Sequence, residues 1–196
     1  MLRKYPLISR LALFILLPCL IAVALGYRHL RQSLPSLQAQ TVTAPVSHEV
    51  RVVRDEHGVP SIIAGSDRDA FFAMGYVQAQ DRLWQLEVQR RIANGRLSEV
   101  LGKDTVDQDI WFRTLGLTHS ARQAWEARSP RARESLQAYT DGINHWLASK
   151  PVLPLEFSIL RIEPAPWSVS DSLAWAKVFA LNLGGNHRRE LERLLV

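Results

Sequence analysis

Glu49-Val50-Arg51-Val52-Val53-Arg54, then Asp55-Glu56-His57-Gly58, then Val59-Pro60-Ser61-Ile62-Ile63-Ala64 is the stretch on which the reading of the fold turns. The first piece alternates apolar and polar residues with a period of two. The second collects turn formers, and the third is rich in β-branched residues. This pattern predicts a β-hairpin with a four-residue connection. Pro60 has no N–H to offer a ladder, so it belongs at an edge or at a strand start. Downstream the period changes. Phe71, Met74, Val77, Trp84 and Val88 recur at spacings of three, four or their multiples, which predicts a helix. Asp67 is its expected N-cap and Gly95 its C′ glycine.

Further outward, Arg96 to Leu101 reads as one more helical turn closed by Gly102. Ser129-Pro130 reads as an N-cap followed by proline at the first helical position. The helix that it opens carries Leu136, Tyr139, Ile143 and Trp146. Residues 151–166 read as a proline-punctuated connection with an apolar patch, Phe157 to Leu160. Ser168 or Ser170 then starts a helix that runs through Leu183 and is interrupted by Gly184-Gly185. Glu190 to Val196 begins another helical segment, whose apolar end, Leu194-Leu195-Val196, lacks a stop signal. The expectation is an α+β chain, mainly helical with an N-terminal β-hairpin, that forms the front of a longer protein.

The formal net charge is +5 over 196 residues, but five of the 24 basic residues lie among residues 1–48, where there is no acidic residue. The other 19 balance the 19 acids of residues 49–196. A nucleic-acid binder needs its basic excess on the folded part, so that class is set aside. Leu11 to Tyr27 carries no charge and is preceded by Arg3, Lys4 and Arg10. As a helix it spans about 25 Å, short of a bilayer core of about 30 Å. It reads as a membrane anchor with the N-terminus inside, or as a cleaved signal segment. Ala22-Val23-Ala24 lies inside the run, and Ala39 and Ala44 come late, so no clean cleavage site closes it. The organisation read from sequence is 1–10 as basic n-region, 11–27 as anchor or signal, 28–48 as a solvated linker, and 49–196 as the exported domain.

No self-sufficient catalytic set is visible. No two of the six histidines stand at i+3 or i+4, and there is no nucleophile elbow or phosphate loop. The single cysteine, Cys19, excludes an internal disulfide. Asp104, Asp107 and Asp109 are too few for a calcium loop. Gly65-Ser66 reads as a turn that ends the hairpin. Glu87 with Arg90 and Arg91, and Arg96 with Glu99, read as pairs on solvated helix faces.

Several ordered motifs then align in one register: Val53 to Ala64, Asp69 to Glu87, Gly95-Arg96-Leu97-Ser98-Glu99-Val100-Leu101-Gly102, Tyr139-Thr140-Asp141-Gly142-Ile143-Asn144, Leu153-Pro154-Leu155-Glu156-Phe157, and Pro166-Trp167 with Asp171. Over roughly residues 48–194 the chain resembles the start of the α subunit of penicillin acylases. That resemblance implies an αββα N-terminal-nucleophile hydrolase fold. It also implies a precursor that cleaves itself, and a Ser at the new β-chain N-terminus with its own amine as base. The bonds cut would be C–N bonds, other than peptide bonds, in linear acyl amides, from β-lactam side chains to N-acyl-homoserine lactones. The partners implied are the chain's own β part, an acyl-amide substrate and a membrane reached through the N-terminal segment, with the domain facing the periplasm or cell exterior.

By the same resemblance, Asn182, Leu183 and Gly184 fall where the family places pocket-gating side chains; the plain alternative is a Gly-Gly helix break. Glu190 falls at the family's acidic position near the α-subunit end, which makes it a candidate Ca2+ ligand, with the other ligands in the β part. The alternative is a solvated acid beside Arg193. The nucleophile, linker peptide and β subunit are not among these residues, so this chain is expected to be inert by itself; its unbalanced apolar terminus predicts that it folds poorly alone. A non-catalytic, membrane-tethered binding protein derived from the α subunit is the rival reading.

Overall fold

The computed structural model describes residues 6–34, 41–184 and 187–194. Arg3, Lys4, Ala39, Gly185 and the terminal Leu195-Val196, all used above, lie outside them. The first described element is a helix, α1 (Pro6–Ser33), which overruns the apolar stretch at both ends. Its segment Leu13–Ser33 is long and apolar enough to cross a membrane, and none of it is buried against the rest of the protein. A signal sequence passes the same test.

The hairpin follows as β1 (Arg51–Arg54) and β2 (Pro60–Ile63), antiparallel, with Arg51 opposite Ile63 and Arg54 opposite Pro60. Pro60 is the first residue of its strand, as its missing N–H requires. The connection is five residues rather than four, because Val59 joins the loop. The Asp55 carboxylate accepts from the His57 and Val59 N–H groups at 2.9 and 2.8 Å and so closes the loop from within.

The remainder is helical: α2 (Asp67–Ala93), α3 (Ser98–Leu101), a 3-10 turn (Lys103–Thr105), α4 (Val106–Leu115), α5 (Leu117–Glu126), α6 (Pro130–Ala148), α7 (Leu155–Leu160), α8 (Val169–Leu183) and α9 (His187–Leu194). The cap of α2 is Ser66, not Asp67: the Ser66 hydroxyl accepts the Asp69 N–H, and Asp67 falls in the first turn beside the positive end of the helix. At the other end, Gly95 has φ +59, and the Gly95 and Arg96 N–H groups reach Ile92 and Arg91 oxygens at 3.0 and 2.8 Å. That is a left-handed helix stop of the Schellman type. Ser129 caps α6 with Pro130 behind it. Ser168, not Ser170, caps α8 through a reciprocal box with Asp171. The apolar patch after Pro151 forms α7, and Phe157 becomes one of the most deeply buried side chains.

α2 is the spine. Ala79, Leu83 and Leu86 pack with Ile143 and Trp146 of α6, Phe157 of α7 and Trp167. Ala93 at its far end joins Phe112, Ala121, Leu173, Ala174 and Val178 from α4, α5 and α8. Glycine allows the central crossing. A Cβ on Gly75 would lie 2.0 Å from the Tyr139 oxygen, and one on Gly142 would lie 2.0 Å from the Phe72 oxygen. The two backbones therefore touch directly.

Buried charges complete the frame and correct the solvated reading of Glu87. Glu87 is only 3% exposed. It receives Arg90, and Arg91 at 2.7 Å. Arg90 also donates to the Ala165 and Pro166 carbonyls at 3.0 and 3.2 Å and lies over the Trp167 ring. Of the acidic cluster 104–109, Asp109 is structural: it accepts the Leu97 and Ser98 N–H groups, each at 2.8 Å. Arg96 with Glu99 is partly exposed, as expected.

Two outcomes follow. Gly142→Val forces α2 and α6 apart, so thermal denaturation should show a loss of more than about 3 kcal/mol; an unchanged melting temperature would mean that the crossing is not this close. Stability should also fall in acid. The Ser47 N–H, helped by the His48 and Ser66 groups and opposed by burial, holds the Asp69 carboxyl down at about 2 against an ordinary 3.8. Burial pushes the Asp109 carboxyl up, but its Ser98 and Leu97 hydrogen bonds outweigh that and leave it below its ordinary value. A carboxyl lowered on folding contributes stability above its unfolded pKa and loses it as pH falls through the folded value. Urea midpoints should therefore drop between about pH 4 and pH 2, and drop less in Asp69→Asn; equal slopes would refute the assignment.

Candidate functional site

α8 carries two apolar faces. Leu173, Ala174 and Val178 are buried against the rest of the domain. On the other side, Ala176, Phe179, Ala180 and Leu183 stand at i, i+3, i+4 and i+7 and are all exposed, Leu183 by 74%. This spacing places them in one stripe along the helix. Asn182 and Leu183 close the helix, and Gly184 caps it, its N–H reaching the Ala180 oxygen at 2.9 Å. The backbone of Gly184 is ordinary, with φ −79, so this glycine is not needed for a left-handed turn. An apolar stripe ending in a small residue can seat an apolar group. It contains no acid, base or nucleophile.

Glu190 lies on the next helix, α9, exposed, with its Oε1 3.4 Å from Arg193 Nη1. Among the described residues no three His, Cys, Asp or Glu side chains come together to hold a metal ion.

Sequence reasoning missed a second feature, an open cleft of about 780 Å3 between α2, α6 and the start of α8. Phe71 and Met74 of α2, Leu136 and Tyr139 of α6, and Trp175 of α8 form its apolar walls. The Tyr139 hydroxyl donates to Gln78 at 2.7 Å, and burial pushes its pKa up to about 12, which keeps it a donor. Phe71 and Met74 were visible as helix-period residues, but nothing in the pattern said that their face stays open. None of the three predicted pocket residues lines this cleft.

The hairpin motif also has a physical explanation. Arg54 at the end of β1 makes two hydrogen bonds of 2.8 Å to Asp81 on α2, and others to Gln80 and to the Gly58 carbonyl at 3.0 Å each. One guanidinium thus closes the loop and fastens the hairpin to the spine. Comparison with known proteins covers the same stretch: the Penicillin amidase family model matches residues 49–196. The chain belongs to the penicillin amidase family. It is 41% identical over 155 residues to "Penicillin acylase 2 proenzyme" of Pseudomonas sp. (strain SE83), covering 79% of this chain and 20% of that protein. It is 33% identical over 152 residues to "Acyl-homoserine lactone acylase QuiP" of Pseudomonas syringae pv. syringae (strain B728a), covering 77% of this chain and 18% of that protein. A thermostable penicillin G acylase structure from Alcaligenes faecalis superposes with a TM-score of 0.63 at 30% identity, covering 70% of this chain and 75% of that one. The chain thus spans about a fifth of the length of these two curated relatives, and the penicillin amidase domain begins within the hairpin stretch.

Because the α8 stripe faces solvent, Phe179→Ser and Leu183→Ser should each leave the thermal stability of the 196-residue chain within about 0.5 kcal/mol, while lowering binding of an apolar dye. A loss above about 1 kcal/mol would show that the stripe is buried.

Proposed function

We propose that this chain is the N-terminal, α-subunit-like portion of a penicillin-amidase-family hydrolase that cleaves linear acyl amides. The observation that carries this reading is the family match across residues 49–196. The exposed apolar end of α8 supports it, because it offers an acyl group a wall without supplying chemistry. In this reading a Ser at the N-terminus of the downstream part attacks the amide with its own α-amine as base. The hairpin and helices then form one side of an αββα sandwich whose sheets lie mainly in that part. The "proenzyme" named among the relatives supports a precursor and a β-subunit partner.

Asn182, Leu183 and Gly184 form the pocket wall of this proposal. Leu183 is apolar, and Gly184 leaves space beside it, which favours a longer aliphatic acyl chain over a compact one. The acyl-homoserine lactone acylase among the relatives supports that second substrate class. Glu190 has the donor chemistry for one Ca2+ ligand. Ca2+ takes about six to eight oxygens, so the other ligands would come from the downstream part, and the ion would tie the two parts together. We further propose that α1 anchors the domain to a membrane on its outer side; a cleaved signal segment would place the same domain free in the periplasm.

The full reading frame, expressed as precursor, tests the proposal. Processing should release a chain that begins with Ser, and the processed enzyme should hydrolyse acyl amides that residues 1–196 alone leave intact. Leu183→Trp should lower kcat/KM for long-chain acyl-homoserine lactones by about tenfold or more relative to short ones. Turnover by residues 1–196 alone, or unchanged chain-length preference, would count against it.

A further inference from the structure

We propose that residues 43–48 form a clasp that holds the helical domain at a short standoff from a lipid surface, an inference that rests on the anchor reading of α1. The Asp69 carboxylate is fully buried in the first turn of α2. It accepts two successive backbone N–H groups, from Ser47 at 2.8 Å and His48 at 3.2 Å, and the His48 ring Nδ1 lies 3.1 Å away. Hydrogen bonds to a buried carboxylate are among the stronger ones, and breaking them strands a charge. The His48 ring sits over Gly65, where an added Cβ would lie 3.1 Å from the ring Cγ. Two further contacts extend the seat. Arg68 Nη1 reaches the Pro45 oxygen at 3.4 Å, and His145 Nε2 lies 3.0 Å from the Thr43 oxygen. Four residues of the segment are therefore held by α2, by α6 and by the turn before α2.

The consequence concerns reach. Read from sequence alone, residues 28–48 form one free linker of 21 residues, which spans about 75 Å when extended. In the structure α1 takes this linker up to Ser33, and the clasp takes it from Thr43. Nine residues, 34–42, remain between them, which reach at most about 32 Å. The domain then stays beside the lipid headgroups, within that reach, instead of ranging away from them.

The test uses the full chain in lipid vesicles with acceptor dyes on the headgroups. In a Cys19→Ser background, Glu56→Cys carries a donor dye on the exposed hairpin loop. Energy transfer should be efficient, and Ser47 and His48 amides should exchange at least about tenfold more slowly than free peptide. Gly65→Val, which drives methyl groups into the His48 ring, should free both amides and lower transfer by about half, with amides at the α2–α6 crossing unchanged. Nine Gly/Ser residues inserted between 38 and 39 should lower transfer and leave every amide protected. Free-peptide exchange at Ser47 and His48 in the parent chain, or transfer that ignores the insertion, would overturn the standoff. A chain that washes off the vesicles with those amides still protected overturns the anchor reading instead and takes the standoff with it.

Discussion

The contact between the backbones of α2 and α6 at Gly75 and Gly142 is the constraint on which the rest of this structure depends. Helices that meet through side chains stand about 8–10 Å apart. Here two absent Cβ atoms let main chain touch main chain, so Phe72 and Ile143 are buried where larger neighbours would have held the helices off. Everything else hangs on α2 relative to that point: the hairpin through Arg54 and Asp81, the N-terminal segment through Asp69, and α4, α5 and α8 through the far end at Ala93.

Polar side chains hold the irregular segments onto this frame. Glu87 compensates Arg90 and Arg91 inside the domain, and Arg90 is thereby free to hold the carbonyls of the Pro-rich connection. Asn144 exchanges two hydrogen bonds with the Trp167 backbone, at 2.7 and 2.9 Å, next to the same connection. Removing Glu87 would leave the Arg90 charge buried and uncompensated, and removing Asn144 would strand the Trp167 N–H and carbonyl. Their combined effect is to aim the start of α8, and so its exposed stripe, from a rigid base.

A helix that is apolar on opposite sides fits a protein in which both sides are covered. α8 has that pattern, and the outer side of the hairpin, with Val53 and Ile63 exposed, repeats it. Family membership and the relatives' acylase names bear on chemistry; the described residues themselves provide a scaffold and an exposed apolar stripe.

Local features of the fold were legible in the residues. Gly95, Ser129-Pro130 and the Ser168–Asp171 box mark helix ends because a cap is made within four residues of itself, so its signal needs no partner. The hairpin was legible for the same reason, apart from one loop residue that the Asp55 side chain draws in. α4 and α5 were not read at all, because Phe112 and Ala121 find their places only against α8 and Ala93, far away in the chain. Asn182, Leu183 and Gly184 were singled out through family resemblance, and the structure adds that Leu183 finishes an exposed stripe which begins at Ala176. Sequence by itself determined the hairpin, the helices α2, α6 and α8 with most of their ends, and the family, since those depend on neighbours along the chain. Only the tertiary structure decided that Glu87 and Asp69 are buried, that residues 43–48 belong to the domain, and which face of α8 stays open. Burial is a property of what arrives from elsewhere, and no local pattern records it.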